Sequence, residues 1–337
     1  MIDHIDQKTF ETRKRELLLD YTSYQNEFHG FKEGEDIYQR VSKRPDDELK
    51  AIPLAATFVS MQQRAWDAIN QLTLAYSAGH QIKELSDSYP DVMACWEEYS
   101  RCGIAYDNSE ESEGAWVAQI PLLGDGYSEA NRLICFAILL GHGNLLPRLM
   151  PIVDYRNPRT DGLLERLVAS FVSGRETPPD DCTRHLPYFK TLKIFAASRE
   201  KRPAMMAQYL ADWYHASRRE PYYDSHERGM NFFGYWSWEA AAITFLLDID
   251  DRSYADAMFY PKDLVDFARS VRATATPEAT PPAEAQELRA KAGEPCPRAG
   301  HWESIDQPSQ TRTYALGEPM LGLASAYGLT VWRYIDG

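Results

Sequence analysis

Gly234-Tyr-Trp-Ser-Trp-Glu-Ala-Ala-Ala-Ile-Thr-Phe-Leu-Leu-Asp248 is the stretch of sequence that decides the fold. On a helical wheel it shows one narrow stripe of small or polar residues, which includes Ser237, Ala241 and Thr244, while nearly every other position is large or apolar. A helix that is apolar almost all round is buried on every side, so other helices must surround it. The sequence therefore predicts an all-α, multi-helix array with a buried central helix near residues 235–249.

Glu239 breaks this pattern, because it lies opposite the polar stripe among large apolar side chains. A bare carboxylate there would cost several kcal/mol or more. It must therefore lie in the first helical turn against free backbone N–H groups, pair with a cation, or line a pocket. The first arrangement requires Ser237 as the N-cap residue. We predict that the adjacent Tyr235, Trp236 and Trp238 pack in the core, with the wall of a pocket or an interface as the alternative.

Amphipathic spacing predicts that helices fill most of the chain up to about residue 270, where the strand signal is weak. Residues 6–28 read as one helix, and a long helix should begin near Leu54 and end near Tyr76. We divide this body into an N-terminal helical region, 1–105, and a C-terminal helical region, 114–270. The two regions are expected to pack together as one body.

The composition changes after the last predicted helix. Residues 271–292 are rich in Ala and Pro and are typical of a linker. Residues 293–337 contain two segments of alternating polarity separated by turn formers, which predicts a small β-ribbon. Such a ribbon is too small to be stable alone. We therefore expect Trp302 to anchor it to the helices, with a contact to a partner as the alternative.

Composition limits the functions that this chain can have. It has 337 residues, a formal net charge of −14 and an isoelectric point near 5.1. Nucleic-acid binding is not expected, because it needs a basic surface to contact phosphates. The five cysteines show no CxxC spacing and are expected to be reduced. Neither a secretion signal nor a membrane-spanning apolar segment is predicted, so we expect a cytoplasmic protein without a membrane partner.

No catalytic or metal-binding motif is found in the sequence, so no catalytic residue, metal or cofactor is predicted. One acidic run, Asp107-Asn-Ser-Glu-Glu-Ser-Glu113, contains no basic residue. It is typical of a solvated loop. The alternative is that Asp107, Glu110, Glu111 and Glu113 bind a basic partner.

Three blocks of the sequence together resemble one protein family. They are Gly234-Tyr-Trp-Ser-Trp-Glu-Ala-Ala-Ala-Ile243, Asp248-Ile-Asp-Asp-Arg-Ser253 and Tyr260-Pro-Lys-Asp-Leu-Val-Asp266. Their order and spacing resemble the PoNe-immunity (PoNi-like) family, and Tyr76-Ser-Ala-Gly-His80 resembles its N-terminal half. The segment Gly293-Glu-Pro-Cys-Pro-Arg-Ala-Gly-His-Trp302 also resembles tails of other polymorphic-toxin immunity proteins. The first resemblance covers roughly residues 6–270.

The resemblance implies an all-helical protein that neutralises a toxin delivered by neighbouring bacteria, often through type VI secretion. The toxins of this family are typically nucleases. No catalytic residue is carried over from the family, and the residues that mark its core here are Tyr235, Trp236, Trp238, Glu239 and Trp302. We therefore predict an immunity protein that blocks the active site of a cognate toxin. The alternatives are a helical hydrolase that reverses a toxin's modification, with Glu239 as its acid, and a helical scaffold without a toxin partner.

Overall fold

The computed structural model describes residues 2–112, 118–124, 126–157, 161–229, 231–274, 288–305, 310–323 and 330–336. Within these residues the chain forms twelve α-helices and four β-strands. The predicted helical array with a small β appendage is therefore confirmed. The chain divides into two compact units, Met1–Ala273 and Thr274–Gly337. Among the described helices, none is long and apolar enough to cross a membrane.

The first unit contains all of the described helices. In chain order they are α1 (Gln7–Arg13), α2 (Tyr21–Val41), α3 (Asp46–Lys50), α4 (Leu54–Ala78), α5 (Ile82–Asp107), α6 (Gly126–Leu139), α7 (Leu146–Asp154), α8 (Gly162–Val168), α9 (Phe189–Ala196), α10 (Arg202–Ala216), α11 (Trp238–Leu246) and α12 (Lys262–Thr274). Short 3-10 helices lie at Glu110–Ser112, Gly143–Leu145 and Ser225–Arg228.

The prediction of one helix over residues 6–28 is wrong, because the chain breaks between α1 and α2. Asp20 starts the second helix by accepting a hydrogen bond from a backbone N–H of its first turn. In the break, the backbone N–H groups of Arg15 and Glu16 both donate to the carbonyl oxygen of Ser77. The break therefore attaches the start of the chain to the end of α4.

The long helix predicted to begin near Leu54 is α4, which ends two residues beyond the expected Tyr76. It stops at Gly79, whose φ of 92° lies in the left-handed region that favours glycine. The chain then turns directly into α5, which packs along α4. The Cys95 and Cys102 side chains of α5, like the other three cysteines, form no disulfide.

The buried central helix is α11, which is shorter than the predicted span of 235–249. Its residues Trp238–Thr244 are all buried, and it packs mainly against α6, which is itself buried along almost its whole length. The preceding Ser237 donates its backbone N–H to the carbonyl oxygen of Phe259, and Tyr235 and Trp236 lie outside regular secondary structure before the helix.

The second unit is an antiparallel sheet with four described strands, where the sequence indicated a ribbon of two. The strands β1 (Arg289–Lys291), β2 (Gly300–Ser304), β3 (Thr311–Tyr314) and β4 (Val331–Asp336) lie in the order β1-β4-β2-β3. Trp302 is completely buried in the core of this sheet with Tyr314 and Trp332, and its Nε1 donates to the carbonyl oxygen of Arg298. Its packing therefore stabilises the sheet unit itself, where the sequence indicated an anchor.

Candidate functional site

The carboxylate of Glu239 lies in the first turn of α11 and is completely buried. Its Oε1 accepts hydrogen bonds from the hydroxyls of Ser237 and Tyr209, each at 2.7 Å, and from Nε1 of Trp213 at 2.8 Å. Its Oε2 accepts one from Nδ2 of Asn131 at 3.1 Å. Four neutral donors thus take the place of water around a buried charge.

Of the three arrangements that the sequence left open, the structure shows a position in the first turn of α11 and a place in the wall of a cavity. Ser237 does occupy the N-cap position, but its hydroxyl donates to Glu239 and makes no capping bond to the backbone. Among the described residues, no cation pairs with the Glu239 carboxylate. The side chain is held by side-chain donors from α6, α10 and the residue before α11, which the sequence alone could not place around it.

Burial and the negative charge of Glu239 both act on the groups around it. They raise the pKa of the Tyr209 hydroxyl well above its usual range and also raise that of Tyr222. Tyr209 therefore remains protonated and able to donate to the carboxylate. The same two causes raise the pKa of the Cys135 thiol well above its usual value. This cysteine has the character of an inert buried thiol, and not of a nucleophile.

The three aromatic side chains before and within α11 join it to the rest of the helical unit. Trp236 donates from Nε1 to the hydroxyl of Ser77 at the end of α4, at 2.9 Å. Trp238 packs against Phe136 of α6, and Tyr235 contacts the His226 ring through a hydrogen bond of 2.7 Å. All three are buried. Their burial and contacts are those of core residues, and Trp236 and Trp238 also line a cavity, which was the alternative.

A cavity of about 660 Å³, here called the central cavity, lies beside this network. Its wall includes Trp236, Trp238 and Glu239, together with Arg132 of α6 and Asp67 of α4. Arg132 is buried and donates to side-chain oxygens of Asn70, Thr73 and Glu129 at 2.9 to 3.2 Å. Burial lowers the pKa of its guanidinium. Polar and aromatic groups thus share this wall, as in many binding sites.

A second cavity has a volume of about 880 Å³ and is lined mainly by α2, α4 and α5, so it is here called the α2–α4–α5 groove. Ile2, Leu49 of α3 and Ile52 before α4 also line it. In its wall, Arg64 of α4 bonds to Glu35 at 2.8 Å and to Glu98 at 2.6 Å. The Arg64 guanidinium also lies over the ring of Tyr38, at 3.7 Å from the ring centre. Burial, followed by the hydrogen bond to Glu98, raises the pKa of Tyr38 to about 12. Asp67 lines both this groove and the central cavity.

The acidic run is not the continuous loop that the sequence predicts, because it begins on α5 and includes the 3-10 helix Glu110–Ser112. Asp107 is the last residue of α5, and its side chain is almost fully buried. It accepts a hydrogen bond of 2.8 Å from the hydroxyl of Tyr155 and pairs with Arg156 at 3.3 Å. Asp107 therefore joins α5 to the end of α7.

Glu111, from the same run, caps α4. Its Oε1 and Oε2 accept the backbone N–H groups of Leu54 and Ala55 at 3.1 and 3.0 Å. Glu110 is exposed, and Glu113 lies outside the described residues. Binding of a partner by these acidic residues stays a prediction. In the structure, two of them are occupied by contacts within the chain.

Over the part of the chain that the structure describes, no group of three or more His, Cys, Asp and Glu side chains could hold a metal ion. The geometry thus defines a helical body that is organised around a buried carboxylate, which accepts four hydrogen bonds from the chain itself. It contains two cavities that share one wall.

Residues 159–264 match the family model described as the C-terminal domain of PoNe immunity proteins (PoNi). The matched segment runs from before α8 into α12 and contains Tyr209, Trp213, Ser237 and Glu239. The predicted resemblance to a PoNi-like family is confirmed by this match.

The crystal structure of protein PA2201 from Pseudomonas aeruginosa is similar to this chain in fold, with a TM-score of 0.64 and 22% sequence identity. The alignment covers 77% of this chain and 92% of that one. Among curated proteins, none matches this chain.

Proposed function

We propose that this chain is an immunity protein that binds one cognate polymorphic toxin and covers its active site. The observation that carries the proposal is the PoNi match over residues 159–264, because that segment supplies three of the four donors around Glu239. The segment that matches the family model therefore has a physical role at the centre of the fold. It builds the body on which a binding surface is displayed.

The charge of the chain supports a basic partner. The formal net charge is −14, and the two cavities are lined by six carboxylates and three arginines. A toxin that cleaves nucleic acid needs a basic groove for phosphates, and an acidic protein would be attracted to such a groove at long range. A nuclease toxin, its delivery by type VI secretion and its neutralisation in the cytoplasm are further parts of this proposal.

Binding is favoured here over the hydrolase alternative. An acid catalyst must reach the proton-accepting atom of its substrate. Glu239 is completely buried, and both of its oxygens are occupied by hydrogen-bond donors of the chain itself. Glu239 borders the central cavity, but none of its surface is exposed, so a substrate would have to displace these donors to reach it. We therefore assign Glu239 a structural role and propose no catalytic residue.

Sequencing of the genes beside this one, followed by expression of a toxin gene found there with and without this chain, tests the proposal. We expect toxin alone to stop growth, and co-expression of this chain to restore growth and to yield a complex that purifies intact. A catalytically inactive toxin variant provides the matched control for growth and should still form the complex. Failure of both protection and complex formation would reject the proposal. The absence of a toxin gene beside this one would favour the scaffold alternative.

A further inference from the structure

Asp67 lies on α4 at the wall that the α2–α4–α5 groove shares with the central cavity. It is half-buried and accepts a hydrogen bond of 2.7 Å from Nε2 of Gln63. Among the described residues, it forms no ion pair. Burial raises the pKa of Asp67, and the negative charge of Glu27 raises it further. A carboxylate that has lost part of its water without gaining a cation is free to be stabilised by a cation from outside.

Over the residues that the structure describes, the groove itself contains no basic side chain that pairs with Asp67. Besides Asp67, its described lining contains the carboxylates of Glu35, Asp91 and Glu98, and Arg64 is its one basic side chain. Arg64 is already bonded to both Glu35 and Glu98. Among the described residues that line the groove, no basic side chain is therefore left to pair with Asp67.

Apolar side chains are exposed on two walls of the same groove. Val59 on α4 is 60% exposed, and Ile37 on α2 is 46% exposed. Half-buried Val41 and Ile52 also line the groove. Apolar walls beside Asp67, a half-buried carboxylate without an ion pair, are suited to a segment that is itself apolar on one face and basic on the other.

We infer that the α2–α4–α5 groove is the docking site for a basic amphipathic segment of the toxin, with aliphatic side chains against Val59 and Ile37 and a lysine or arginine paired with Asp67. The inference rests on the proposed function. Nucleic acid and anionic lipid carry the same sign of charge as this groove and are repelled by it. A second copy of this chain is disfavoured because like charges would face each other across the contact.

Titration of the purified toxin that this chain neutralises in the co-expression test above, against groove variants, tests this inference. The variants are Asp67→Asn, which removes the charge and keeps an acceptor for Gln63, and Val59→Asp, which places a carboxylate on the exposed apolar wall. The matched controls are Asp256→Asn and Met258→Asp, because both residues are exposed and outside both cavities. Thermal unfolding of each variant checks that its fold is retained.

We expect each groove variant to weaken binding by at least about tenfold, and each control to bind like the wild-type chain. The affinity of Asp67→Asn should also depend less on salt than that of the wild type. Hydrogen exchange of the complex should show protection in α2 and α4. Wild-type affinity in both groove variants would overturn this inference and leave the proposed function standing, as would an equal loss in the controls. Absence of binding by the wild-type chain itself would reject the proposed function instead.

Discussion

The hydroxyl of Tyr209 on α10 donates a hydrogen bond of 2.7 Å to Oε1 of Glu239 on α11. Burial and the carboxylate together raise the pKa of the tyrosine well above its usual range, so the hydroxyl keeps its proton and can donate at neutral pH. With Trp213 and Ser237 on the same oxygen, it fixes α11 against α10. Glu239, which the sequence offers as an acid only in the hydrolase alternative, thus connects α11 to α10 and α6.

Replacing Glu239 with Gln is expected to destabilise the fold. The amide oxygen of the new side chain can accept the bonds that Oε1 now receives. Its amide nitrogen then faces Nδ2 of Asn131, so two buried donors meet and neither has an acceptor. Such a loss costs about 1–3 kcal/mol. Urea unfolding of the wild type and the variant measures it, with Asp256→Asn as the exposed control.

The same variant separates a structural Glu239 from a catalytic one. If Glu239→Gln unfolds at the wild-type urea concentration and binds the toxin normally, yet gives no protection, then the carboxylate acts chemically. In that case the structural role assigned here is wrong. A lower unfolding midpoint with protection that returns at reduced temperature would support the structural role.

Replacing Glu111 with Ala should loosen the start of α4. The Glu111 carboxylate accepts the backbone N–H groups of Leu54 and Ala55, and the N-cap position itself is Pro53, which makes no side-chain capping bond. Loss of a cap costs about 0.5–2 kcal/mol. Glu110→Ala is the matched control, because Glu110 is adjacent and exposed. Chemical denaturation should separate the two variants, and equal midpoints would show that the cap contributes nothing.

The sequence predicts the parts of this fold that depend on local periodicity. The start of α4 and the buried character of α11 follow from the spacing of apolar residues, because a helix that is apolar all round can only be buried. The contacts of Asp107 and Glu111 within the chain could not be predicted in this way. Their partners, Tyr155 and Leu54, are distant in the sequence, so an acidic run that is bonded internally looks the same as a solvated one.

Of the candidate site, sequence reasoning identified Glu239 and missed the groove at Asp67. Glu239 was visible because a carboxylate among apolar residues violates the helical pattern. Asp67 follows the normal pattern of charged residues in an amphipathic helix. Only its position between two cavities, without a cation, sets it apart. A strictly local pattern carries no information about such a neighbourhood.

Replacing Gly79 with Ala should destabilise the turn between α4 and α5. The φ of 92° is strained for any L side chain, and a Cβ atom would lie 2.2 Å from the carbonyl oxygen of Arg13. We expect a loss of roughly 1–3 kcal/mol in the free energy of unfolding. Gly30→Ala in α2 is the control with the opposite sign, because a Cβ atom at Gly30 would meet open space. Its free energy of unfolding should rise by about 0.5–1 kcal/mol. A stable Gly79→Ala variant would show that α1 moves away from the turn.

Replacing Asp67 with Asn should stabilise the free protein while it weakens toxin binding. The pKa of Asp67 is raised in the folded state, so the folded chain holds this proton more tightly than the unfolded chain. Ionisation therefore costs stability, which falls as the pH rises from below the ordinary aspartate pKa through the raised one and stays reduced at neutral pH. The Asn variant lacks this loss. Its unfolding midpoint should exceed that of the wild type at pH 7, and the difference should shrink as the pH falls below the pKa of an ordinary aspartate.

A lower midpoint of the Asp67→Asn variant at pH 7 would show that the carboxylate is already stabilised within the chain, which would remove the reason for a cation from the toxin. A residue that reduces stability and is needed for binding has the properties expected of a functional site.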